Sequence, residues 1–476
     1  MYLEDASATA TMTYSELLQS ASAWAHLLTE AGVKPGARVA IRLPDPVGYA
    51  AALLGVVAAG RVAVPLDPAA PAPELARVLD VAQPEAMICD TAAGLPPVPV
   101  VLQPPGTEHA SGPLARSMEE SPASGGIFLC TSGTTGTPKG IELRDEQLAH
   151  VAKTVVAQHR LTQDDRGYCT LPLFHVNAEV VGLLATLFAG ACLVLDRAFS
   201  RRRFWPVVEE RRITWINAVP AIIAVLSMEQ DEIQPPERVR FVRSASAPLP
   251  PPVLIRFEQL TGLPIIETYG MTEAASMITA NPLDGPRKPG SVGQPAGTEV
   301  RVVRYTEHEV IPCADYVIGQ VQIRGPGVIT EYATGGRPGA IDQDGWLDTG
   351  DLGHLDEDGF LYLAGRTDDV INRGGEKIYP REIEEVLLSQ PGVLSAVVVG
   401  AEDEVLGQRP VAYIVPKESW TGPGFEDALA TACGQALPKP KRPSAIVVVE
   451  ELPLGPTGKV ARRRLRELAT SSRTGD

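Results

Sequence analysis

At 476 residues the chain is too long for one ordinary core, and 44% hydrophobic against 21% charged residues is the balance of a soluble globular protein with two or more domains. A formal net charge of −16 denies it the basic face that nucleic acid or an anionic membrane would need, so an anionic ligand must be held by a few local Lys, Arg and backbone N–H groups. The six Cys stand singly, the seven His form no ligand cluster, and the start is acidic, so free buried thiols, no zinc site, no signal peptide and a cytoplasmic location are expected.

In chain order, "YSELLQSASAWAHLLTEAG" has helical apolar spacing and stops at Gly32. "ARVAIRLP" then reads as a strand, "VGYAAALLGVVAAG" as a helix and "VAVPLD" as a strand, and "PELARVLDVAQ" with "AMICD" repeats the alternation. That is the pattern of a parallel sheet covered by helices. Between Asp90 and Gly126 the composition turns to Pro, Ala, Gly and Ser and reads as a loop. "VVGLLATLFAGACLVL" (Val180 to Leu195) is too short to span a membrane and is closed by Glu179 and Asp196; it predicts a buried helix and then a core strand. From Asn281 to Leu363 short strand-like runs predict a small antiparallel β unit, and from Thr367 onward strands and helices predict a further compact domain.

"TSGTTGTPKG" (Thr131 to Gly140) lacks the Gly-Lys-Ser/Thr ending of an NTPase loop. It follows the apolar strand "GGIFLC" and precedes the helix-like "RDEQLAHVAKTVVAQHR". Such a turn can aim backbone N–H groups and hydroxyls at phosphate, with Lys139 adding charge; alone, it also reads as a flexible connector. "TYGMTE" (Thr268 to Glu273) offers the flat face of Tyr269, the hydroxyl of Thr272 and the carboxylate of Glu273, which suits a hard cation such as Mg²⁺. "WLDTGD" ends in Asp351, "GRTDDVINRGGEKIYPREIEEVL" begins with Gly365 and Arg366 and carries the Gly374–Gly375 pair, and "PLGPTGKV" presents Lys459 in a Pro/Gly turn.

As an ordered set over nearly the whole chain, these segments resemble the adenylate-forming superfamily of acyl-CoA synthetases, luciferases and peptide-synthetase adenylation domains. The resemblance implies an α/β protein: an N-terminal adenylation domain (1–366) of helix-covered parallel sheets with a β-barrel-like unit at about 281–364, and a mobile C-terminal α+β domain (367–476) carrying the catalytic lysine. It implies that a carboxylic acid attacks the α-phosphate of ATP, pyrophosphate leaves, and the thiol of CoA then displaces AMP from the acyl-adenylate. Thr131, Ser132, Gly133, Thr134, Thr135, Gly136 and Lys139 would cradle the phosphates. Ser246, Ala247 and Pro248 would line the adenine pocket beside Tyr269. Thr272 would touch the α-phosphate, Glu273 would hold Mg²⁺, and Asp351 and Arg366 would grip the ribose. Lys459 would bridge the two reacting groups, where a cation meets the charge gathered in the transition state. Asp368 matches the hinge, and Gly374 and Gly375 the pantetheine tunnel. Lys439 to Arg442 ("KPKR") is a candidate contact for CoA phosphates.

For the acid, the resemblance points to His175, Asn177, Glu179, Gly270, Met271 and Met277. The scaffold looks most like relatives of oxalate–CoA ligases. A charged Glu179 would repel a dianion, whereas Met277 with Ile278 suits an apolar acyl group, so a bulky, mostly apolar acid is expected ahead of a small dicarboxylate. The alternative to a full CoA ligase is an adenylating enzyme that passes acyl-AMP to a partner transferase or carrier protein in a natural-product pathway. Monomer and homodimer both stay open.

Overall fold

A computed structural model describes residues 1–7, 9–91, 96, 98–104, 124–132, 138–228, 233–306, 309–417, 420, 424–453 and 460–471. By packing, the chain divides into two units. One comprises Met1–Leu249, Val253–Val300 and Gln322–Leu347; the other comprises Pro250–Pro252, Arg301–Val321 and Asp348–Asp476.

The first unit holds two large sheets. The six-stranded sheet runs in the order Val100–Leu102, Ala86–Cys89, Arg38–Arg42, Val62–Pro65, Gly126–Ser132, Pro138–Arg144. Its pairs are parallel except the last, which is antiparallel. Two of these strands correct the sequence reading. Val100–Leu102 lies inside the stretch read as a loop, where a three-residue strand among prolines leaves no periodic signal. Pro138–Arg144 stands between the Gly/Thr-rich loop and the helix Asp145–His159, so that loop closes a hairpin instead of opening a helix. The period is two: Ile141 and Leu143 are buried, while Glu142 and Arg144 turn out and pair with each other.

The nine-stranded sheet has a parallel centre of Leu3–Asp5, Cys192–Leu195, Arg166–Cys169, Trp215–Ala218, Phe241–Ser244 and Ile265–Tyr269. Thr11–Met12 closes one edge, and Thr279–Ala280 with Gln294–Pro295 the other, all antiparallel. The expected helix before the strand Cys192–Leu195 is present and buried, but Asn177–Leu184 is wound as a π-helix before Ala185–Ala189 continues as α. Helix starts follow local chemistry. Thr13 and Glu16 form a capping box ahead of Tyr14–Glu30, and the Asp45 carboxylate accepts from the Gly48 N–H ahead of Pro46–Ala58.

In the second unit the strands Leu347–Leu355 and Leu361–Arg366 pair antiparallel at one side of a five-stranded sheet, as do Glu299–Tyr305 and Val310–Pro312 at the other. A second sheet is built on the long hairpin Val393–Asp403 and Gly407–Pro416. One face packs Ile383, Leu387 and Leu429 from the helices Pro380–Leu388 and Phe425–Ala436, and the other packs Leu465 and Ala469 from the helix Arg462–Ser471. All six cysteines are free, four buried and Cys130 and Cys313 half-buried. Among the described residues no helix is long and apolar enough to cross a membrane.

Candidate functional site

Parallel strands release their loops at one end of the sheet, and ligands of open α/β sheets gather at carboxyl ends. Three segments singled out in the sequence leave parallel strands of this sheet there: Ala245–Pro248 after Phe241–Ser244 and Gly270–Glu273 after its neighbour Ile265–Tyr269, and Leu171–His175 after Arg166–Cys169, which the strand Trp215–Ala218 separates from Phe241–Ser244. Ser246, Ala247 and Pro248 are exposed, His175, Gly270, Met271 and Thr272 half-buried, and Tyr269 and Glu273 buried.

Glu273 is held on a short 3₁₀ turn, Thr272–Ala274. The turn is tight: a Cβ on Gly270 would stand 1.3 Å from the Ser276 carbonyl oxygen, and Ala275 and Ser276 both have positive φ, 48° and 101°. The Tyr332 hydroxyl donates to Glu273 Oε1 at 3.1 Å, and the Lys139 ammonium lies 5.4 Å from the centre of the Tyr332 ring. Tyr332 is fixed in turn by its neighbours. The Gly140 N–H donates to both the carbonyl (3.0 Å) and the hydroxyl (3.1 Å) of Thr334, and the Gly140 carbonyl accepts from Ala333 N–H at 3.0 Å. The foot of the hairpin is thereby tied to the segment beside Glu273. Glu273 Oε2 makes no hydrogen bond among the described residues, so this carboxylate keeps an oxygen that would suit a hard cation such as Mg²⁺.

Asn177 belongs to a buried polar cluster. Its Oδ1 accepts from Arg243 Nη1 at 2.9 Å and Asn217 Nδ2 at 3.3 Å, and its Nδ2 donates to Ser246 Oγ at 3.1 Å. Burial lowers the Arg243 pKa to about 9, which leaves it protonated at neutral pH. Two other candidates offer a ligand no surface: Met277 and Glu179 are fully buried. Both Glu179 carboxyl oxygens lack a hydrogen-bond partner, and burial holds the group well above the usual carboxylate range, hence neutral. The charge repulsion expected from Glu179 is therefore absent. His175 rests against Phe174, with ring centres 4.7 Å apart.

In the second unit, Asp351 and Arg366 face each other across their strands and form an ion pair at 3.1 Å. Asp368 sits on a 3₁₀ turn, where its carbonyl accepts from Arg466; the neighbouring Asp369 carboxylate pairs with Arg466 and Arg462. Gly374 and Gly375 have φ of 59° and 91° and form the two-residue turn joining Ile371–Arg373 to Glu376–Ile378, so hairpin geometry by itself favours glycine at both positions. Within "KPKR", Lys441 is paired with Glu382 at 2.7 Å, and Lys439 is exposed. Gly133, Thr134, Thr135, Gly136 and Lys459 lie outside the described residues, as does the side chain of Ser132. Thr131 is opposite Lys139 in the hairpin register.

Sequence reasoning missed Tyr332, which is far from Glu273 in the chain. It also missed Arg243, although a lone arginine in the apolar strand "FVRS" was a usable signal.

The family model described as "AMP-binding enzyme" matches residues 3–333, and the one described as "AMP-binding enzyme C-terminal domain" matches residues 382–459. The chain is similar to a sulfoacetate–CoA ligase of Cupriavidus necator, with 38% identity over 95% of this chain and 92% of that protein. It is also similar to an oxalate–CoA ligase of Arabidopsis thaliana, with 35% identity over 92% of this chain and 89% of that protein. Among solved structures, ATP-bound MatB from Rhodopseudomonas palustris superposes with a TM-score of 0.87 at 30% identity, covering 98% of this chain and 95% of that one.

Proposed function

The chain belongs to the AMP-binding enzyme family, as an acid–thiol ligase of the AMP-forming acyl-CoA synthetase kind, and from that premise we propose how it works. In the first half-reaction an oxygen of the acid's carboxylate bonds to the α-phosphorus of ATP, the bond to the bridging oxygen breaks, and pyrophosphate departs. In the second, the sulfur of CoA bonds to the acyl carbon, the thiol proton goes to solvent, and AMP leaves. Thr131 to Gly136 and Lys139 hold the outer phosphates, Thr272 touches the α-phosphate, and Ser246 to Pro248 with Tyr269 receive adenine. Asp351 and Arg366 meet the ribose. Mg²⁺ on Glu273 would neutralise phosphate charge. Lys459 steadies the transition state, and rotation at Asp368, between 1–366 and 367–476, exchanges it for the Gly374–Gly375 turn in the CoA half-reaction.

The observation that carries this reading is the fixing of Glu273 by Tyr332, beneath the Lys139 ammonium, in a chain that matches the family along most of its length. ATP–pyrophosphate exchange tests it. Lys459→Ala should keep the fold and lose exchange by roughly a hundredfold or more. Exchange that survives the substitution removes Lys459 from its role.

For the acid, the expectation of a bulky apolar substrate leaned on Met277, Ile278 and Glu179, of which the first two are fully buried and the third neutral. A second reading, a short acid with two anionic ends, is favoured by the relatives named for sulfoacetate and oxalate and by the buried Arg243 guanidinium behind Asn177. We adopt the short dianion. A screen of acids with ATP and Mg²⁺, with and without CoA, decides between them. Acyl-AMP that accumulates despite CoA would instead support an adenylating enzyme serving a separate transferase or carrier protein.

A further inference from the structure

Arg243 is among the largest fully buried side chains, at 1% exposure. Among the described residues no carboxylate pairs with it; Nη1 donates to Asn177 Oδ1 (2.9 Å) and to Asn217 Oδ1 (3.1 Å), and Nε has no partner. A buried cation without a counter-charge is costly to keep, and hydrophobic residues of similar volume would spare that cost. The Asn177 and Asn217 amides, the Cys169 thiol and the His159 imidazole around it carry no negative charge to neutralise it.

The chemistry of the guanidinium fixes the direction of everything attached to it. It only donates, so both asparagines must turn their Oδ1 atoms toward it. Asn177 Nδ2 is therefore forced the other way, where it donates to Ser246 Oγ at 3.1 Å. Ser246 Oγ, having accepted, keeps its own hydrogen to give. Ser246 is exposed, with φ of 75°, in the loop at the carboxyl end of the strand that carries Arg243. Each bond polarises the next, so donor character runs outward from a buried positive charge through the Asn177 amide to the exposed Ser246 hydroxyl. An acceptor at that point gains most if it is itself negative.

We propose that Arg243, acting through Asn177 and Ser246, is the specificity-determining group of the enzyme, and that this relay recognises the distal anionic oxygens, carboxylate or sulfonate, of a short acid whose other end is adenylated. The assignment rests on the short-dianion reading above. Asn177 is the donor aimed at the distal group, and the Ser246 hydroxyl, which also borders the adenine site proposed above, supports it. Arg243 is a positioning residue: it sets the amide the right way round and lends the site its charge.

The test is ATP–pyrophosphate exchange with paired acids, oxalate and sulfoacetate against acetate and hexanoate, on the wild type, Arg243→Met and Arg243→Gln. The wild type should favour the doubly charged acids. In Arg243→Met the KM for those acids should rise roughly tenfold or more, the order expected for losing charge-assisted hydrogen bonds. KM for ATP and the turnover of acetate should hold. Arg243→Gln, which can still donate to Asn177 without the charge, should fall between. A loss shared equally by acetate, or one that appears in KM for ATP, overturns the relay, since a structural or adenine-directed role would produce it. A wild type that prefers hexanoate overturns it too. Should Arg243→Met fail to fold, Arg243→Gln decides, because it keeps a donor toward Asn177 and removes only the charge; an unchanged KM for the doubly charged acids then refutes the proposal. No exchange with any acid overturns the ligase reading and the relay with it.

Discussion

The Tyr332 hydroxyl donates to Glu273 Oε1 at 3.1 Å from a ring over which the Lys139 ammonium stands at 5.4 Å, so one side chain touches both the expected metal carboxylate and the expected phosphate cation. Tyr332→Phe keeps the ring and removes the hydroxyl. Losing a hydrogen bond to a charged group costs about 1.5–3 kcal/mol. The variant should need more Mg²⁺ for half-maximal exchange and turn over about tenfold more slowly at limiting Mg²⁺. Unchanged Mg²⁺ dependence, with only a lower Tm, would make Tyr332 a packing residue.

Gly270→Ala probes the turn that presents Glu273. The new methyl would begin 1.3 Å from the Ser276 carbonyl oxygen, so the backbone has to move. Overpacking of a rigid site costs ~1–3 kcal/mol and occasionally more, and this contact belongs at the severe end. Urea denaturation should register the loss, and exchange activity should fall with it. A variant with wild-type stability would mean that the turn tolerates a different path.

Arg462→Met addresses the C-terminal helix. Arg462 pairs with Glu384 at 2.7 Å and donates to the Val398 carbonyl at 2.8 Å, on a side chain only 29% exposed. Stranding Glu384 should destabilise the protein by about 2 kcal/mol, discounted from the ~3–5 kcal/mol of fully buried pairs for partial exposure. Adding Glu384→Gln should restore part of it, measured as a double-mutant cycle by denaturation. Strictly additive losses would deny the pair its coupling.

His159 gives the acid side of the stability profile a predicted slope. It lies fully buried beside Phe241 and Trp215, and burial, followed by the Arg243 and Arg240 charges, lowers its pKa from 6.5 to about 3. Protons then bind the unfolded chain in preference to the native one between those values. Stability should be whole above pH 6.5 and fall as pH drops toward 3, by at most ~1.4 kcal/mol per pH unit from this group. His159→Phe should flatten that part of a Tm-against-pH curve; an unchanged slope would place the acid sensitivity elsewhere.

Much of the architecture was legible because alternation and periodicity are local. The helices Tyr14–Glu30 and Pro46–Ala58 and the strands between them follow from spacing and caps alone. The strand Pro138–Arg144 was not legible, since its alternation is cut short by Gly140 and its polar positions blend into the helix that follows. The segments Ala245–Pro248 and Gly270–Glu273 were readable as motifs, and parallel pairing of their strands brings them to one sheet end. Tyr332 and Arg243 were not, because their meaning depends on contacts between distant parts of the chain. Glu179 carries a third lesson: a sequence prints a carboxylate, but only its surroundings decide whether it bears a charge.

The π-winding of Asn177–Leu184 has a consequence for how such a site diverges. A π-turn accommodates one residue more than an α-turn, and such bulges recur at functional sites. Deleting a single residue there would let an ordinary turn form and leave the preceding segment nearly in phase with Ala185–Ala189, because the wider turn had absorbed the extra residue. The chain before the turn would keep its direction, while the side chains within the turn would each move by one place. Loss of one codon could therefore exchange the set of side chains offered to the acid without altering any of them, which makes segment length as heritable a variable as residue identity.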